Sequence, residues 1–178
     1  MDLVTLVLAC SLYVNNSIPY AIVQTDSKND PLAVTVNNVT KHFTKVSEAM
    51  HYTKQQIAQN KIVNIGLMQI SSQWLPTSRA SVDELFRPCK NVFVATQVMN
   101  TFHLRCQALA EHDSTIDISA CTLSMYKTGN AYTGSAYAAQ IIDYAAKHPF
   151  AVLAQKARDP GMLAAIAKPG SASSHATV

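Results

Sequence analysis

Carboxyl groups are scarce in this chain, which narrows where acid–base chemistry could sit. Its 178 residues include 11 Asp and Glu together, and the only glutamates are Glu48, Glu84 and Glu111. Asp26 follows the apolar run Ala21-Ile22-Val23 and precedes Asp30-Pro31. A general acid near neutral pH belongs in an apolar pocket. Ile22, Val23, Ile65 and Met68 are the residues that would wall one beside Asp26. The second candidate segment is Gly66-Leu67-Met68-Gln69-Ile70-Ser71-Ser72. Gly66 permits close approach of backbone to a ligand. Gln69 both donates and accepts, which suits a ligand rich in hydroxyl and amide groups. Met68 offers an adaptable apolar wall. Read without function, the same segment is a core strand with one stray Gln.

These residues need elements to position them. Ser17-Ile18-Pro19 reads as a helix start that carries the chain to Asp26-Ser27, and Asp30-Pro31 breaks it. Val34 to Thr40 holds two β-branched runs around Asn37-Asn38, the pattern of a tight hairpin. A helix from Ser47 to Gln59 follows, and the apolar stretch Ile62–Ile70 is a buried segment of open type. Ser81–Phe86 is a short helix. Asn91 is expected to cap the longest helix, Val92 to Glu111, with Val92, Ala95, Val98, Met99, Phe102 and Cys106 at helical spacing. Ile116–Tyr126 and Gly134–His148 complete the helical part. The pattern is α+β, mostly helical, with one small β-hairpin. Residues 1–148 read as one domain and 149–178 as a C-terminal tail, partly helical and then disordered.

Composition excludes some classes. Apolar residues make up 48% and charged residues 14%, which supports a packed core rather than disorder. The net charge of +3 suits an anionic polymer but is also unremarkable for a globular domain. No Lys/Arg block reads as a nucleic-acid patch. The six histidines show no ligand spacing, so neither a metal nor a cofactor is expected. The run Leu3–Leu8 is too short to span a bilayer. It reads as a core helix capped by Asp2, with a degenerate signal peptide as the minor alternative, so an export signal is not clear. Cys10, Cys89, Cys106 and Cys121 fit either two disulfides or four buried thiols. Cys106 and Cys121 lie on two helices joined by a short loop, so antiparallel packing would bring them together.

Gly66–Ser72 resembles the Gly-Leu-Met-Gln-Ile-Asn/Ser signature of lytic transglycosylases and goose-type lysozymes. Asp26-Ser27-Lys28-Asn29-Asp30-Pro31 is similar to that family's Glu-Ser-x-x-Asn-Pro, with Asp26 on the catalytic Glu and Asp30 on the Asn. Tyr126-Lys127-Thr128-Gly129-Asn130 resembles Tyr-Asn-Thr-Gly-Asn, with Lys127 on the Asn. Pro88-Cys89-Lys90-Asn91 resembles Asp-Pro-Cys-x-Asn, with Arg87 on the Asp. The motifs occur in the family's order over Leu3 to Lys147. Asp26 and Gln69 are 43 positions apart, a gap like that of the branch attached to type IV secretion and conjugation machines.

The resemblance implies a lysozyme-like fold of the SLT type and a substrate of peptidoglycan glycan strands, with secretion or conjugation components as possible partners. It implies a bacterial, periplasmic or cell-envelope location. Asp26 is then the catalytic carboxyl. Ser27, Gly66, Met68, Gln69, Ser71, Tyr126, Lys127, Thr128 and Gly129 become substrate-binding positions, and the Tyr126 hydroxyl is expected to point at the carboxyl. The family cleaves the bond between N-acetylmuramic acid and N-acetylglucosamine with one carboxyl and leaves a 1,6-anhydro product. The resemblance also pairs Cys10 with Cys89. Glu48 is the reserve carboxylate. The alternative to an enzyme is a degenerate domain that binds glycan or secretion partners without cutting.

Overall fold

Asp2 opens the first helix through its side chain, with Oδ1 accepting from the Thr5 N–H at 3.0 Å. The computed structural model describes residues 2–13 and 15–158. Helix α1 spans Leu3–Cys10 and buries Leu6, Val7 and Cys10. Helix α2 spans Ser17–Ile22. Ser17 lies inside it, and its hydroxyl accepts from the Phe150 N–H at 3.0 Å. Helix α2 runs on into a π-helical turn, Val23–Ser27, that stops at Lys28 and Asn29, both at positive φ. Side chains within this segment bond back to the helix: Thr25 Oγ1 donates to the Ala21 carbonyl at 2.9 Å and Ser27 Oγ to the Val23 carbonyl at 3.0 Å.

The Asn37-Asn38 pair makes the expected tight turn, with φ of 50° and 62°. It joins β1 (Val34–Val36) to β2 (Val39–Lys41), pairing Val34 with Lys41 and Val36 with Val39. The hairpin does not stand alone. Ile62–Ile70 resolves into β3 (Val63–Ile65), a turn, and the start of β4 (Ile70–Ser71). The sheet is antiparallel in the order β2-β1-β3-β4. Alternation makes this possible, because Val34, Val36, Val63 and Ile65 all face the core while β2 is exposed. Helix α3, Val46–Ala58, connects β2 to β3.

A 3-10 turn (Ser72–Trp74) and the short α4 (Leu75–Ser78) follow β4. The helix expected at Ser81–Phe86 is a single 3-10 turn, Glu84–Phe86, fixed by reciprocal bonds between Ser81 and Glu84. Helix α5 spans Pro88–Ala110 and runs through the core. It starts three residues before its expected cap. Pro88 takes the first position, where its missing N–H costs nothing, and Asn91 is released for another task. Helices α6 (Ile118–Thr128), α7 (Ser135–Lys147) and α8 (Phe150–Arg158) complete the described chain. Asp117 caps α6 by accepting from the Ala120 N–H at 2.7 Å, and Gly129 ends it at φ 76°.

Two disulfides fix the helices. Cys10 bonds Cys89, tying α1 to the start of α5, and Cys106 bonds Cys121, tying α5 to α6. Their Cα separations are 5.2 and 5.9 Å. Helix α8 falls beyond the boundary expected at residue 148, yet Phe150 is buried and packs edge-on against Tyr20. Of α8, Phe150 thus packs on the domain, while Ala151, Val152 and Gln155 are exposed. Residues 159–178, the remainder of the expected tail, lie outside the described residues. Among the described residues no helix is long and apolar enough to cross a membrane. The architecture is a mostly helical α+β fold with a small antiparallel sheet of four short strands.

Candidate active site

The π-turn ends α2 with the Asp26 side chain almost enclosed, at 8% exposure. Three side chains meet its carboxyl. Tyr137 Oη, from the first turn of α7, donates to Oδ2 at 3.1 Å. Lys127 Nζ, from the last turn of α6, reaches the same Oδ2 at 3.2 Å. Thr25 Oγ1 lies 3.3 Å from Oδ1, but its proton has a closer acceptor in the Ala21 carbonyl. The Lys127 ammonium also sits 4.6 Å above the Tyr137 ring, so a cation–π contact closes the triangle. The loop between Thr128 and Ser135 is what brings α6 and α7 together. Ser124 Oγ accepts from the Gly134 N–H at 2.8 Å, and a Cβ on Gly134 would stand 2.8 Å from the Ser124 Cα.

Tyr126 lies beside this group but does not point its hydroxyl at Asp26. Its Oη donates to the Met68 carbonyl at 2.7 Å, and the side chain is buried. Burial first, and the nearby Asp26 charge second, push the Tyr126 hydroxyl well above its ordinary value near 10. The same two causes, in the same order, push Tyr137 well above that value. Both phenols therefore keep their protons at neutral pH, and Tyr137 acts as a donor. The tyrosine that donates to the Asp26 carboxyl is therefore Tyr137, one helix further along than the expected Tyr126.

The Gly66–Gln69 turn is held from outside by Asn91. Asn91 Oδ1 accepts from the Met68 N–H at 2.8 Å, and Nδ2 donates to the carbonyls of Ile65 at 2.9 Å and Leu85 at 2.8 Å. Gly66, at φ 73°, is required there: a Cβ would lie 2.4 Å from Asn91 Nδ2 and 2.7 Å from the Leu85 carbonyl. Asn91 is thus a positioning clamp rather than a helix cap. Gln69, at φ 51°, turns its amide inward. Oε1 accepts from Thr35 Oγ1 at 2.6 Å, and Nε2 donates to the carbonyls of Gly66 at 2.8 Å and Ala33 at 3.1 Å. Three of the four bonding directions of that amide are filled, by Thr35 of β1, the Ala33 carbonyl before it and the Gly66 carbonyl of its own turn.

The other expected positions divide similarly. Ser27 is buried and bonds its own helix. Met68 is fully buried and contributes its backbone. Ser71 caps the 3-10 turn after β4. Thr128 Oγ1 bonds back to the Ser124 carbonyl at 2.8 Å. Gly129 faces the Trp74 ring, 3.9 Å from where its Cβ would be. Within the expected set, Lys127 bonds Asp26, Tyr126 bonds the Met68 carbonyl and Gln69 bonds the Gly66 carbonyl, and only the first of these joins two side chains. Asp30 accepts from the Leu32 N–H at 2.8 Å and pairs with His42 across the end of the hairpin. Glu48 is exposed on α3 and pairs with Lys45 at 3.3 Å, so it forms no part of the cluster. A cavity of about 570 Å³ lies elsewhere, lined by Tyr13, Asn100, His103, Asp117 and Ile142, and shares no residue with the Asp26 group.

Tyr137 is the residue that sequence reasoning missed. The signal available was the short loop, which forces the first turn of α7 back beside the last turn of α6. Comparison with known proteins adds one match. The profile of the Transglycosylase SLT domain covers residues 7–146. That span includes Asp26, the Gly66–Gln69 turn, Asn91, both disulfides and the Tyr126–Tyr137 corner. No curated protein and no solved structure gives a significant match. A family profile that spans α1 to α7, and contains every residue of the cluster, identifies this chain as a member of the transglycosylase SLT domain family.

Proposed function

We propose that this chain is a peptidoglycan lytic transglycosylase in which Asp26 is the single acid–base group, opening the cell wall locally for a secretion or conjugation apparatus. The carrying observation is the asymmetry of the carboxyl. Tyr137 and Lys127 both occupy Oδ2, while Oδ1 has only the distant Thr25 hydroxyl. A carboxyl with one oxygen held by two partners and the other only weakly partnered is oriented for proton transfer from the weakly partnered oxygen.

In the proposed reaction, Oδ1–H gives its proton to the glycosidic oxygen as the C1–O bond of the muramic residue breaks. The alcohol of the departing glucosamine leaves neutral. The muramic C6 hydroxyl then bonds C1 and returns its proton to the Asp26 carboxylate. The enzyme ends as it began, and no second carboxylate is needed. The anchored Tyr137 holds the carboxylate form between the two steps. The secretion role is supported by the long insertion between Asp26 and Gln69, filled by the β1–β2 hairpin, α3 and β3.

One observation favours a second reading, glycan binding without cleavage. The Lys127 ammonium pairs with Asp26, and Asp is shorter than Glu by about 1.5 Å. A misplacement near 1 Å costs about a hundredfold in rate. Digestion of purified sacculi, with mass spectrometry for 1,6-anhydromuropeptides, separates the readings. The enzyme releases anhydro products, and Asp26→Ala abolishes them. A parent protein and an Asp26→Glu variant that both bind sacculi yet release none would establish the binding-only domain.

A further inference from the structure

We propose that Lys127 makes this site selective for glycan whose muramic residue carries a free lactyl carboxylate, that is, strands stripped of their stem peptides. The inference rests on the placement of the scissile bond at Asp26. Lys127 Nζ is 3.2 Å from Asp26 Oδ2, so a full positive charge stands beside the bond to be cut. Among the described residues Asp26 is its only hydrogen-bond acceptor. An ammonium carries three donors, so two directions remain open. The side chain is 39% exposed, and the Tyr137 ring beneath it fixes where the charge sits.

A second anion is the natural complement of such a group. The sugar whose C1–O bond faces Asp26 bears a lactyl ether on the same ring. When that lactyl carboxyl is free it is an anion. When a stem peptide is attached it is a neutral amide. The ammonium therefore distinguishes the two chemically, in the place where the difference lies. Carboxylates further along a stem peptide sit on a flexible chain away from the ring and pay more ordering entropy to reach the same point. Pairing with the lactyl group also gives the ammonium an alternative partner to Asp26 Oδ2, which leaves the catalytic carboxyl less encumbered in the complex that the site prefers. The ion pair is then a selectivity device rather than a defect.

The test is calorimetric binding to the full chain carrying Asp26→Asn, so that no glycan is consumed, with and without Lys127→Gln. Three tetrasaccharides of alternating N-acetylglucosamine and N-acetylmuramic acid are compared: free lactyl carboxylates, a neutral amide-capped stem, and a stem with free carboxylates. The expected result is about tenfold tighter binding of the free lactyl form than of either other form. Lys127→Gln removes that preference, Lys127→Arg keeps it, and added salt weakens it. Equal binding of the three glycans, or a preference that survives Lys127→Gln, overturns the proposal. Tightest binding of the stem with free carboxylates also overturns it and assigns the ammonium to the peptide. Because the readout is binding, a parent chain that releases no anhydro product would defeat the enzymatic reading while leaving this result standing.

Discussion

The Tyr137 hydroxyl donates to Asp26 Oδ2 at 3.1 Å, and the Lys127 ammonium reaches that same oxygen at 3.2 Å while resting over the Tyr137 ring. One carboxylate oxygen, one phenol and one ammonium thus form a closed triangle. The phenol holds the carboxyl and the ammonium together from both sides. Removing any corner changes the surroundings of the other two.

Tyr137→Phe keeps the ring and its contact with Lys127 but deletes the donor. A hydrogen bond to a charged group contributes about 1.5–3 kcal/mol. If it is used in the cleavage step, release of anhydro product falls on the order of ten- to a hundredfold. Thermal stability, followed by circular dichroism, falls by roughly 3–12 °C through the same lost bond, while the ring still fills its place. Unchanged cleavage would remove Tyr137 from the mechanism.

Asp26→Glu lengthens the carboxyl side chain by one methylene, which the proposed reaction would use. The expected outcome is faster release of anhydro product from sacculi, on the order of tenfold or more. The longer side chain extends the reach of the carboxyl by about 1.5 Å. Slower cleavage than the parent would mean that the π-turn already places the shorter side chain where the chemistry needs it.

Asn91→Ala leaves the Met68 N–H and the Ile65 and Leu85 carbonyls without their buried partner. The expected loss is about 3 kcal/mol or more of unfolding free energy, measured by urea titration. Gly66→Ala meets the same amide from the other side, with its Cβ at 2.4 Å from Nδ2, and is expected to be comparably damaging. A mild effect for both would show that the turn does not depend on the clamp.

Alkaline unfolding tests the two tyrosines. Both phenols titrate well above 10 in the folded chain and near 10 when it is unfolded. Below pH 10 they are protonated in both states and add no pH dependence. Above it the unfolded chain loses protons that the native chain keeps, so stability falls as pH rises. The slope is about 1.4 kcal/mol per pH unit for each tyrosine, until the folded values are reached. Tyr126→Phe should remove one share of that slope in denaturation series between pH 9 and pH 11, whatever it costs in the lost bond to Met68. An identical slope in the variant would exclude Tyr126 as a source.

What was legible in the sequence was whatever depends on neighbours along the chain. Asn37-Asn38 specifies its turn because two residues that tolerate positive φ are needed in succession. Asp2 lies at a helix start and caps it as expected, whereas Asp117, inside the helix expected from Ile116, turns out to be the cap of α6. The Cys106–Cys121 bridge followed from two helices and a short loop. Partners supplied by distant segments were not legible. Gln69 declares itself as a polar amide, but the Thr35 hydroxyl and the Ala33 carbonyl that fill two of its bonding directions come from a distant segment. Ile62–Ile70 could not declare itself as two strands, since the edge that completes it is β1. Tyr137 sits one residue before Ala138 on the buried face of α7, where an aromatic residue is indistinguishable from ordinary packing. The π-turn at Asp26 is set by the Thr25 and Ser27 hydroxyls bonding back to the helix, and such residues more often end a helix than widen it.

The Asp26 triangle joins positions 101 and 111 residues apart in sequence, and that distance sets an order of events. A ribosome or a translocation channel delivers the carboxyl early and its two partners late. Until the last turn of α6 and the first turn of α7 have emerged, Asp26 lacks its full set of partners. A prematurely terminated chain that stops before Lys127 carries the carboxyl without either anchor, and one that stops between α6 and α7 lacks Tyr137. Assembly of the whole domain is therefore the safety catch: the groups aimed at the cell wall come together only when synthesis of the helical unit is nearly complete.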